Sequence, residues 1–423
     1  MENAELYINK INIENQDYLE KILPKNILDN FNFKVKQIKS NNIKEAVQEY
    51  SILYEKTIKK LFQLENKTPN EDNSLDSFLN SGNSNLKLVF GDAKLLYDKL
   101  PSESIQLMVT SPPYYNVREY SVWKDIESYK SDMQEIINKA YRVLDNHRMF
   151  IFNVGDIFDN KNMSTNSVWG KERIPLGSYF VTMFEKAGFK FIDDFIWDKG
   201  EVQSSRHKNS FRPYPFYQYP VNVYEHILVF AKHRLDKIRY PCPVCGSLKV
   251  NGNTQSSPGI QSWECKNFSC FERSKSNRGK RFSLISNIKQ RNQVLDNKIP
   301  DDLLNKWRRD IVKFSPVIKI SQGGKNKLGH TAPFPKDIPE MATEFFSFKG
   351  EFSLDPFAGS FTSAITAAKL GRIGIGFEIH KEFEESAKKR MKMLNYNGSY
   401  ETYDLETGKI KFYKGSSLND VAS

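Results

Sequence analysis

Thr110-Ser111-Pro112-Pro113-Tyr114 directly follows residues 105–109, a run with strand character that predicts a β-strand. Two consecutive prolines cannot continue a sheet or lie inside a helix, so the chain must turn where the strand ends. The turn fixes a hydroxyl, backbone carbonyls and an aromatic ring at the carboxyl edge of the predicted sheet, where open α/β folds bind their ligands. These groups suit methylation of an exocyclic amino group on a flipped base, because acceptors hold the amine and the ring sandwiches the base. An ordinary proline-rich turn is the alternative interpretation.

A second stretch far downstream, Phe352-Ser353-Leu354-Asp355-Pro356-Phe357-Ala358-Gly359-Ser360, predicts a short strand that ends in a loop of small residues. A helix is predicted at residues 362–370, closed by Gly371. A strand, a small-residue loop and a helix amino terminus together form the cradle typical of a nucleotide-type cofactor. The next predicted strand, residues 373–377, ends at Glu378, 19 positions after Gly359. An acidic residue at about that spacing typically binds ribose hydroxyls.

Together these stretches resemble the amino-methyltransferases of DNA that use S-adenosylmethionine, over about residues 85–395. The stretch 111–114 resembles the family's catalytic motif, 355–360 its cofactor loop, and 330–335 (HTAPFP) the motif that precedes this loop. Because the catalytic motif comes before the cofactor loop, the order is that of the circularly permuted β class. Phe361 stands where many members carry glycine, which leaves the conformation of the loop open.

The resemblance implies the fold and the cofactor contacts. The expected fold is α/β, with a doubly wound, mainly parallel sheet of seven strands, one of them antiparallel. The alternation of strand and helix patterns in the core independently favours a doubly wound sheet. Asp92, after a strand predicted at residues 86–90, would contact the adenine ring of the cofactor, or would only cap the next helix. The residues expected to bind S-adenosylmethionine are Asp92, His330, Pro335, Asp355, Pro356, Phe357, Gly359, Ser360 and Glu378.

The catalytic motif implies a mechanism that needs no metal and no general base. A base amino group is a poor nucleophile, since its lone pair is delocalised into the ring. Ser111 and the Pro112 carbonyl would accept its two hydrogens and localise that lone pair, while Pro113 stiffens the turn and Tyr114 stacks on the base. Family members with serine first in this motif mostly methylate cytosine at N4, and those with aspartate mostly methylate adenine at N6. We therefore expect N4-cytosine, with N6-adenine as the alternative.

The charge of the chain is concentrated in one segment. The formal net charge is +11, and residues 232–313 alone contain 18 Lys and Arg against 7 Asp and Glu. A basic module beside a near-neutral core is typical of a polyanion-binding surface, and a solvated charged loop is the alternative. The residues expected to contact DNA are Arg273, Lys275, Arg278, Lys280 and Arg281.

All four cysteines lie in this segment, at Cys242, Cys245, Cys265 and Cys270. Their spacing predicts a four-thiolate structural zinc site of the ribbon type, although the gap of four residues in the second pair is long. Disulfides are not expected in an intracellular chain. Pro241-Cys242 superficially resembles the attacking cysteine of cytosine-C5 methyltransferases, but Cys242 already belongs to a pair and the other signatures of those enzymes are absent.

The expected organisation has five parts. They are a helical extension with its linker at 1–84, the catalytic half of the core at 85–231, a target recognition insert with zinc at 232–306, the cofactor half at 307–400, and a tail at 401–423. Residues 1–65 predict helices that pack on the core, contact DNA or mediate self-association, and packing on the core is the simplest expectation. Residues 68–85 predict a linker.

The sequence shows no run of 18 apolar residues and no signal-peptide pattern, so we expect a soluble, cytoplasmic protein without a membrane partner. The resemblance implies a modification enzyme of a type II restriction system. It would act on double-stranded DNA, as a monomer or weak dimer, in functional pairing with a restriction endonuclease. Methylation of RNA or of a protein glutamine is a rival activity, although those enzymes usually carry asparagine in the tetrapeptide. A DNA-binding protein with a decayed core is a rival without catalysis.

Overall fold

The computed structural model describes residues 3–115, 123–158, 173–200, 222–234, 238–273, 278–292, 298–316 and 335–415. The chain divides into two compact units. Unit 1 comprises residues 1–68 and 233–297, and unit 2 comprises residues 69–232 and 298–423. The motifs at 111–114 and 355–360 both belong to unit 2, and the four cysteines belong to unit 1.

The bounds of the described elements are as follows. The strands are β1 Leu86–Phe90, β2 Ile105–Thr110, β3 Leu144–Val154, β4 Ile157–Phe158, β5 Arg173–Ile174, β6 Lys190–Asp198, β7 Tyr224–Lys232, β8 Val250–Gln255, β9 Gln261–Cys265, β10 Arg281–Ser283, β11 Ile311–Lys313, β12 Phe352–Asp355, β13 Ile373–Glu378, β14 Tyr400–Asp404 and β15 Ile410–Tyr413. The helices are α1 Ala4–Ile22, α2 Lys25–Val35, α3 Ile43–Glu65, α4 Asn73–Leu79, α5 Ala93–Lys99, α6 Ile126–Val143, α7 Leu176–Ala187, α8 Leu284–Asn292, α9 Asp301–Trp307, α10 Asp337–Phe346, α11 Thr362–Lys369 and α12 Phe383–Met393. No helix in these described ranges is long and apolar enough to cross a bilayer.

Unit 2 is built on one large sheet with the strand order β11-β6-β7-β3-β2-β12-β13-β1-β14-β15. Strand β7 runs antiparallel to both of its neighbours and β15 runs antiparallel to β14, whereas the other adjacent pairs are parallel. The seven strands from β6 to β1 contain one antiparallel strand, as the resemblance implied. The expected total of seven is nevertheless wrong, because β11 extends one edge of the described sheet and β14 and β15 extend the other.

Helices cover both faces of this sheet. Because successive strand residues point to opposite faces, Met108 of β2 packs in a cluster with α4 to α7, whereas Leu107 and Val109 pack with α9 and α10. Leu88 and Phe90 of β1 pack with α11 and α12. Strands that are buried on both faces are nearly continuous in apolar residues, which explains why the pattern at 105–109 has no polar alternation. The doubly wound architecture is therefore confirmed.

Most of the predicted elements are confirmed to within a few residues. The strands expected at 86–90, 105–109 and 373–377 are β1, β2 and β13, and the helix expected at 362–370 is α11. One expectation is wrong, since the linker expected at 68–85 contains α4. Asp72 caps this helix by accepting hydrogen bonds from Ser74 N and Leu75 N, and Leu75 is buried in the core. A polar composition therefore concealed a short capped helix.

Unit 1 joins the amino-terminal helices to the cysteine segment. Buried side chains from α1, α2 and α3 form a single hydrophobic cluster with all four cysteines, Leu248, Val250 and Trp263. Strands β8, β9 and β10 form an antiparallel sheet that carries Cys265 at the end of β9. The expected partner of residues 1–65 was the α/β core, and the observed partner is this segment. The two parts therefore share one hydrophobic core.

Asn15 of α1 is the polar centre of this shared core. Its side chain is buried, with Nδ2 donating to the Gly246 carbonyl oxygen and to Tyr50 Oη, both at 3.0 Å. Its Oδ1 accepts from Leu248 N at 2.8 Å. A buried amide that satisfies two backbone groups of a distant segment fixes the register of that segment on the helix.

Substitution of Asn15 should therefore loosen the cysteine segment. We expect Asn15→Ala to destabilise unit 1 by about 2–4 kcal/mol, because a buried carbonyl, an amide and a phenol each lose a partner. Amide hydrogen exchange of the peptide spanning residues 246–249 measures the effect. Asn9→Ala, on the same helix, is the matched control and should leave this exchange unchanged. Equal exchange rates in the two variants would contradict the role assigned to Asn15.

Candidate active site

The two motif strands are neighbours in the sheet. Strand β2 pairs in parallel with β12, through Leu107 with Ser353 and Met108 with Leu354. At the carboxyl ends of these strands Thr110 Oγ1 donates to Asp355 Oδ1 at 2.6 Å, across a separation of 245 positions in sequence. The turn at 111–114 and the loop at 356–360 therefore leave the sheet side by side, at the edge where parallel α/β sheets bind ligands.

A cavity of about 320 Å³ opens at this edge. Eleven of the residues singled out from sequence line it: Asp92, Ser111, Pro112, Pro113, Tyr114, Asp355, Pro356, Phe357, Gly359, Ser360 and Glu378. Met133, Ile136, Phe377 and Phe383 add apolar surface to its wall. The cavity thus combines flat apolar walls, suited to an aromatic ring, with several carboxylates.

Asp355 is buried, and its Oδ1 accepts from Phe357 N at 3.0 Å as well as from Thr110. Burial raises the pKa of Asp355 to about 6, because the carboxylate has left water. Since this pKa lies below 7, the group is mostly ionised at neutral pH and places a negative charge at the cavity wall.

Glu378 holds the cofactor loop against the end of β13. Its Oε2 accepts from Gly359 N at 2.8 Å and its Oε1 accepts from His380 N at 3.0 Å. Burial raises the pKa of Glu378 above its ordinary value. The residue also lines the cavity, so its Oε2 fixes the loop at the wall of the ligand space.

The interpretation of Asp92 as a helix cap is confirmed, and its contact with the adenine ring stays a prediction. It is the N-cap of α5, with its side chain accepting from Lys94 N at 2.8 Å, and it also lines the cavity. An N-cap side chain is fixed by its hydrogen bond to the helix, so this carboxylate has one defined position beside the ligand space.

Two hydrogen bonds hold the turn at residues 111–114 in place. Gly155 N donates to Tyr114 Oη at 3.1 Å, and Tyr129 Oη donates to the carbonyl oxygen of Pro113 at 3.0 Å. Burial raises the pKa of Tyr114 above its ordinary value, so its phenol is neutral. Within the described residues no hydrogen bond reaches the Pro112 carbonyl oxygen. Pro112 lines the cavity.

Phe361 explains how the loop accommodates a residue other than glycine. Its backbone is left-handed, with φ of 60°, which is the conformation that glycine adopts most readily. Its buried ring packs edge-on against Phe90 and occupies the space over Gly376, where an added Cβ would lie 2.4 Å from the ring. Burial of this ring offsets the strain, of about 1–2 kcal/mol, for a bulky residue in that region. Phe361 thus adopts the left-handed conformation that a glycine would adopt at this position.

Sequence reasoning missed the polar group on the α6 side of the cavity. Asp132 accepts from Trp123 Nε1 at 2.8 Å and pairs with Lys94 Nζ at 2.9 Å, and all three residues line the cavity. His380 also lines it, directly after Glu378. Position after a predicted strand could have indicated His380. Nothing in the helical pattern distinguishes Asp132 from a surface residue. Its contact with Lys94 depends on the packing of α5 on α6, which the sequence pattern does not show.

The remaining predicted residues lie elsewhere. Pro335 is buried and is not among the residues that line this cavity, and its contact with the cofactor stays a prediction. His330 and Lys275 lie outside the described residues. Arg273, Arg278, Lys280 and Arg281 are in unit 1, near the cysteines. The cysteines are buried, and their four sulfurs lie within 4.8 Å of one another.

Comparison with known proteins decides the family. A family model for N6/N4 DNA methylases matches residues 105–389, which span both motif strands and most of the cavity lining. The chain belongs to the DNA methylase family. The matched range contains β2, β12 and the two loops that follow them, so the pairing that builds the site lies inside the family region of the chain.

Individual relatives resemble the chain to different extents. The type II beta methyltransferase M.BslI of Bacillus sp. (strain NEB-606) is 37% identical over 331 residues, which are 76% of this chain and 30% of that protein. The chain thus spans less than a third of the length of M.BslI. The type II methyltransferase M.ScaI of Streptomyces caespitosus is 25% identical over 316 residues, which are 73% of this chain and 82% of M.ScaI. The structure of TTHA0409 from Thermus thermophilus, complexed with S-adenosyl-L-methionine, is 21% identical with a TM-score of 0.48, and the match covers 75% of this chain and all of that one.

The buried carboxylate of the site predicts a pH-dependent stability. The pKa of Asp355 in the folded protein, about 6, lies above the ordinary value of 3.8, so the native state holds a proton that the unfolded chain releases. Stability therefore falls as the pH rises through the window from about 4 to 6. Asp355→Asn removes this ionisation, and its stability relative to the native protein should rise through that window by up to about 3 kcal/mol.

Thermal unfolding of the cofactor-free protein at several pH values measures this difference. Asp193→Asn is the matched control, because it makes the same substitution at an exposed position on β6. A difference for Asp355→Asn that stays constant from pH 4 to 8 would show that Asp355 titrates normally.

Proposed function

We propose that the protein transfers a methyl group from S-adenosylmethionine to the exocyclic N4 amino group of cytosine in duplex DNA. The observation that carries this proposal is the meeting of the Ser111–Tyr114 turn and the Asp355–Ser360 loop at one cavity. One motif supplies acceptors for an amine, the other a cradle for the methyl donor, and methyl transfer requires both within reach of one another.

The charge of the cavity supports S-adenosylmethionine as the cofactor. Its lining includes Asp92, Asp132, Asp355 and Glu378, and the lysine among the described lining residues, Lys94, is paired with Asp132 and Glu135. A wall of carboxylates repels the phosphates of a nucleotide cofactor. It attracts a ligand with a sulfonium and an ammonium group, and the apolar residues at 133, 136 and 377 suit its adenine ring.

The residues of the turn would activate the amine. S-adenosylmethionine, when bound, supplies an electrophilic methyl group. Ser111 Oγ and the Pro112 carbonyl oxygen accept the two amino hydrogens, and this withdraws the nitrogen lone pair from the ring and directs it outward. The ring of Tyr114, fixed by Gly155 N, stacks against the base. Since Thr110 is tied to Asp355, the acceptors keep a constant distance from the cofactor loop.

The choice of cytosine over adenine rests on Ser111, because members of this family that begin the motif with serine mostly act on cytosine. A neutral hydroxyl accepts one hydrogen of the amine without adding charge beside it. N6-adenine remains the second candidate, since the same two acceptors could hold an adenine amine.

The biological setting follows from the relatives. M.BslI and M.ScaI are named as type II methyltransferases, and M.BslI as a beta methyltransferase. We propose the circularly permuted β-class order for this chain too, since its catalytic motif precedes its cofactor loop. We also propose a role in the cytoplasm that protects duplex DNA from a cognate restriction endonuclease.

The cysteine segment fits a structural zinc ion. Cys245 Sγ and Cys265 Sγ are 3.8 Å apart, and tetrahedral zinc with bonds of about 2.3 Å places neighbouring sulfurs about 3.8 Å apart. All four cysteines are free of disulfides, and Asn267 Nδ2 also donates to Cys245 Sγ at 3.8 Å. Such an ion would contribute to the folding of unit 1 and take no part in methyl transfer.

The first test measures transfer of a tritiated methyl group to DNA, RNA and protein in parallel. We expect labelled DNA only. Ser111→Ala should lower turnover by roughly 10–1000-fold while cofactor affinity is kept, because its acceptor acts mainly in the transition state. Ser178→Ala, at an exposed position on α7, is the matched control. Normal turnover in Ser111→Ala would show that the serine does not take part in the mechanism. Labelled RNA or protein without labelled DNA would show that DNA is not the substrate.

The second test is metal analysis of the purified protein. We expect about one zinc per chain, and loss of the metal in Cys265→Ser. Ser269→Ala, in the same loop, should retain it. Faster amide exchange at residues 246–249 should accompany metal loss, since the shared core depends on the cysteines. A metal-free native protein with protected amides at these positions would contradict the zinc site.

A further inference from the structure

Unit 1 carries nearly all of the excess positive charge. Residues 1–68 and 233–297 contain 23 Lys and Arg against 14 Asp and Glu, whereas the rest of the chain contains 39 against 37. The methylase site thus lies in a unit close to neutrality. A unit with this excess of positive charge is typical of one that binds a polyanion.

The loop between the last two cysteines presents an exposed aromatic ring within this basic unit. Phe268 has 85% of its surface exposed, and Phe271 has 49%. Single exposed apolar residues are ordinary on protein surfaces. This pair is unusual in its setting, because both rings lie within four residues of one another in the most basic part of the chain.

The Phe268 loop, residues 265–270, is held rigidly. Cys265 N donates to the Lys280 carbonyl oxygen at 2.9 Å, and Lys266 N to that of Lys249 at 2.8 Å. The buried Asn267 closes the turn by accepting from Ser269 N at 3.0 Å. Its two ends are buried cysteines, so Phe268 projects from a fixed base. A rigid ring loses little conformational entropy when it inserts into a partner.

A cation accompanies the ring. The Arg273 guanidinium lies 4.5 Å from the centroid of Phe268, and its Nη1 donates to the Cys265 carbonyl oxygen at 3.3 Å. An aromatic ring with a guanidinium beside it matches a nucleic acid, in which flat bases lie next to phosphates. A protein partner would favour a broader apolar patch without the surrounding positive charge.

We propose that Phe268 is an apolar wedge that inserts at a base step of duplex DNA while the basic residues of unit 1 hold the phosphates. Wedges of this kind partly unstack the duplex and bend it. Unstacking near the target lowers the cost of extruding one base, which the methyl transfer proposed above requires. The proposal rests on that function and adds to it a residue and a mode of contact.

The experiment compares full-length Phe268→Ala with the native protein and with Phe33→Ala. Phe33 is 62% exposed on α2 in the same unit, so this variant removes a second exposed ring that lies outside the Phe268 loop. The probe is a duplex that contains a site methylated by the native protein, located by mapping modified positions, with 2-aminopurine beside that site. Metal content and S-adenosylmethionine affinity of each variant verify that it is folded.

We expect Phe268→Ala to bind this duplex roughly tenfold more weakly, in the range expected for loss of one stacked ring, and to abolish the rise in 2-aminopurine fluorescence. Phe33→Ala should behave as the native protein. Affinity of Phe268→Ala within twofold of native would overturn the proposal, as would weaker binding with an undiminished rise in 2-aminopurine fluorescence. Absence of methyl transfer to DNA by the native protein would instead overturn the proposed function.

Discussion

The parallel pairing of β2 with β12, completed by the hydrogen bond from Thr110 to Asp355, is the constraint on which the site depends. The two motifs it joins are separated by 245 positions, so no local preference could bring them together. Burial of both strands between two helical layers fixes their register, since a slip of one residue would exchange their two faces. The carboxyl ends of the strands then lie at one edge. The turn at residues 111–114 and the loop at residues 356–360 therefore occupy adjacent positions at that edge.

Prolines and glycines made much of this predictable. Pro112 and Pro113 end β2, and Gly371 follows α11. The boundaries of the central elements could therefore be predicted from the proline and glycine residues and from the runs of mostly apolar residues between them. The contents of the cavity followed because strand ends in a parallel sheet share an edge. The edge strands β11 and β15 could not be predicted, since they are short and contain exposed residues whose pairing depends on the neighbouring strand.

Long-range polar contacts escaped prediction for a different reason. Asn15 was indistinguishable in sequence from any helical asparagine, and only the fold brings it to Gly246 and Leu248. The same holds for Asp132, which reaches Lys94 through helix packing. Phe361 stands at the position where glycine is usual. Its left-handed backbone and its packing over Gly376 could not be predicted from the sequence. The periodicity of apolar residues predicts which face of a helix or strand is buried, but it does not predict which residues that face contacts.

The two units divide the physical tasks of the protein. Unit 2 holds a cavity lined with carboxylates in a near-neutral surrounding, and unit 1 holds the positive charge, the cysteines and the exposed Phe268. In the function proposed above, unit 2 binds the cationic cofactor and unit 1 binds the polyanion. Had both charges been mixed on one surface, each ligand would have weakened the field that binds the other.

Nucleoside analysis of DNA methylated in vitro tests the central claim most directly. Duplex DNA is incubated with the protein and S-adenosylmethionine that carries a deuterated methyl group, digested to nucleosides and analysed by chromatography and mass spectrometry. We expect labelled N4-methyl-2′-deoxycytidine. Labelled N6-methyladenine would contradict the assignment of cytosine, and label at carbon 5 of cytosine, or no labelled nucleoside, would contradict attack by an exocyclic amine at this site.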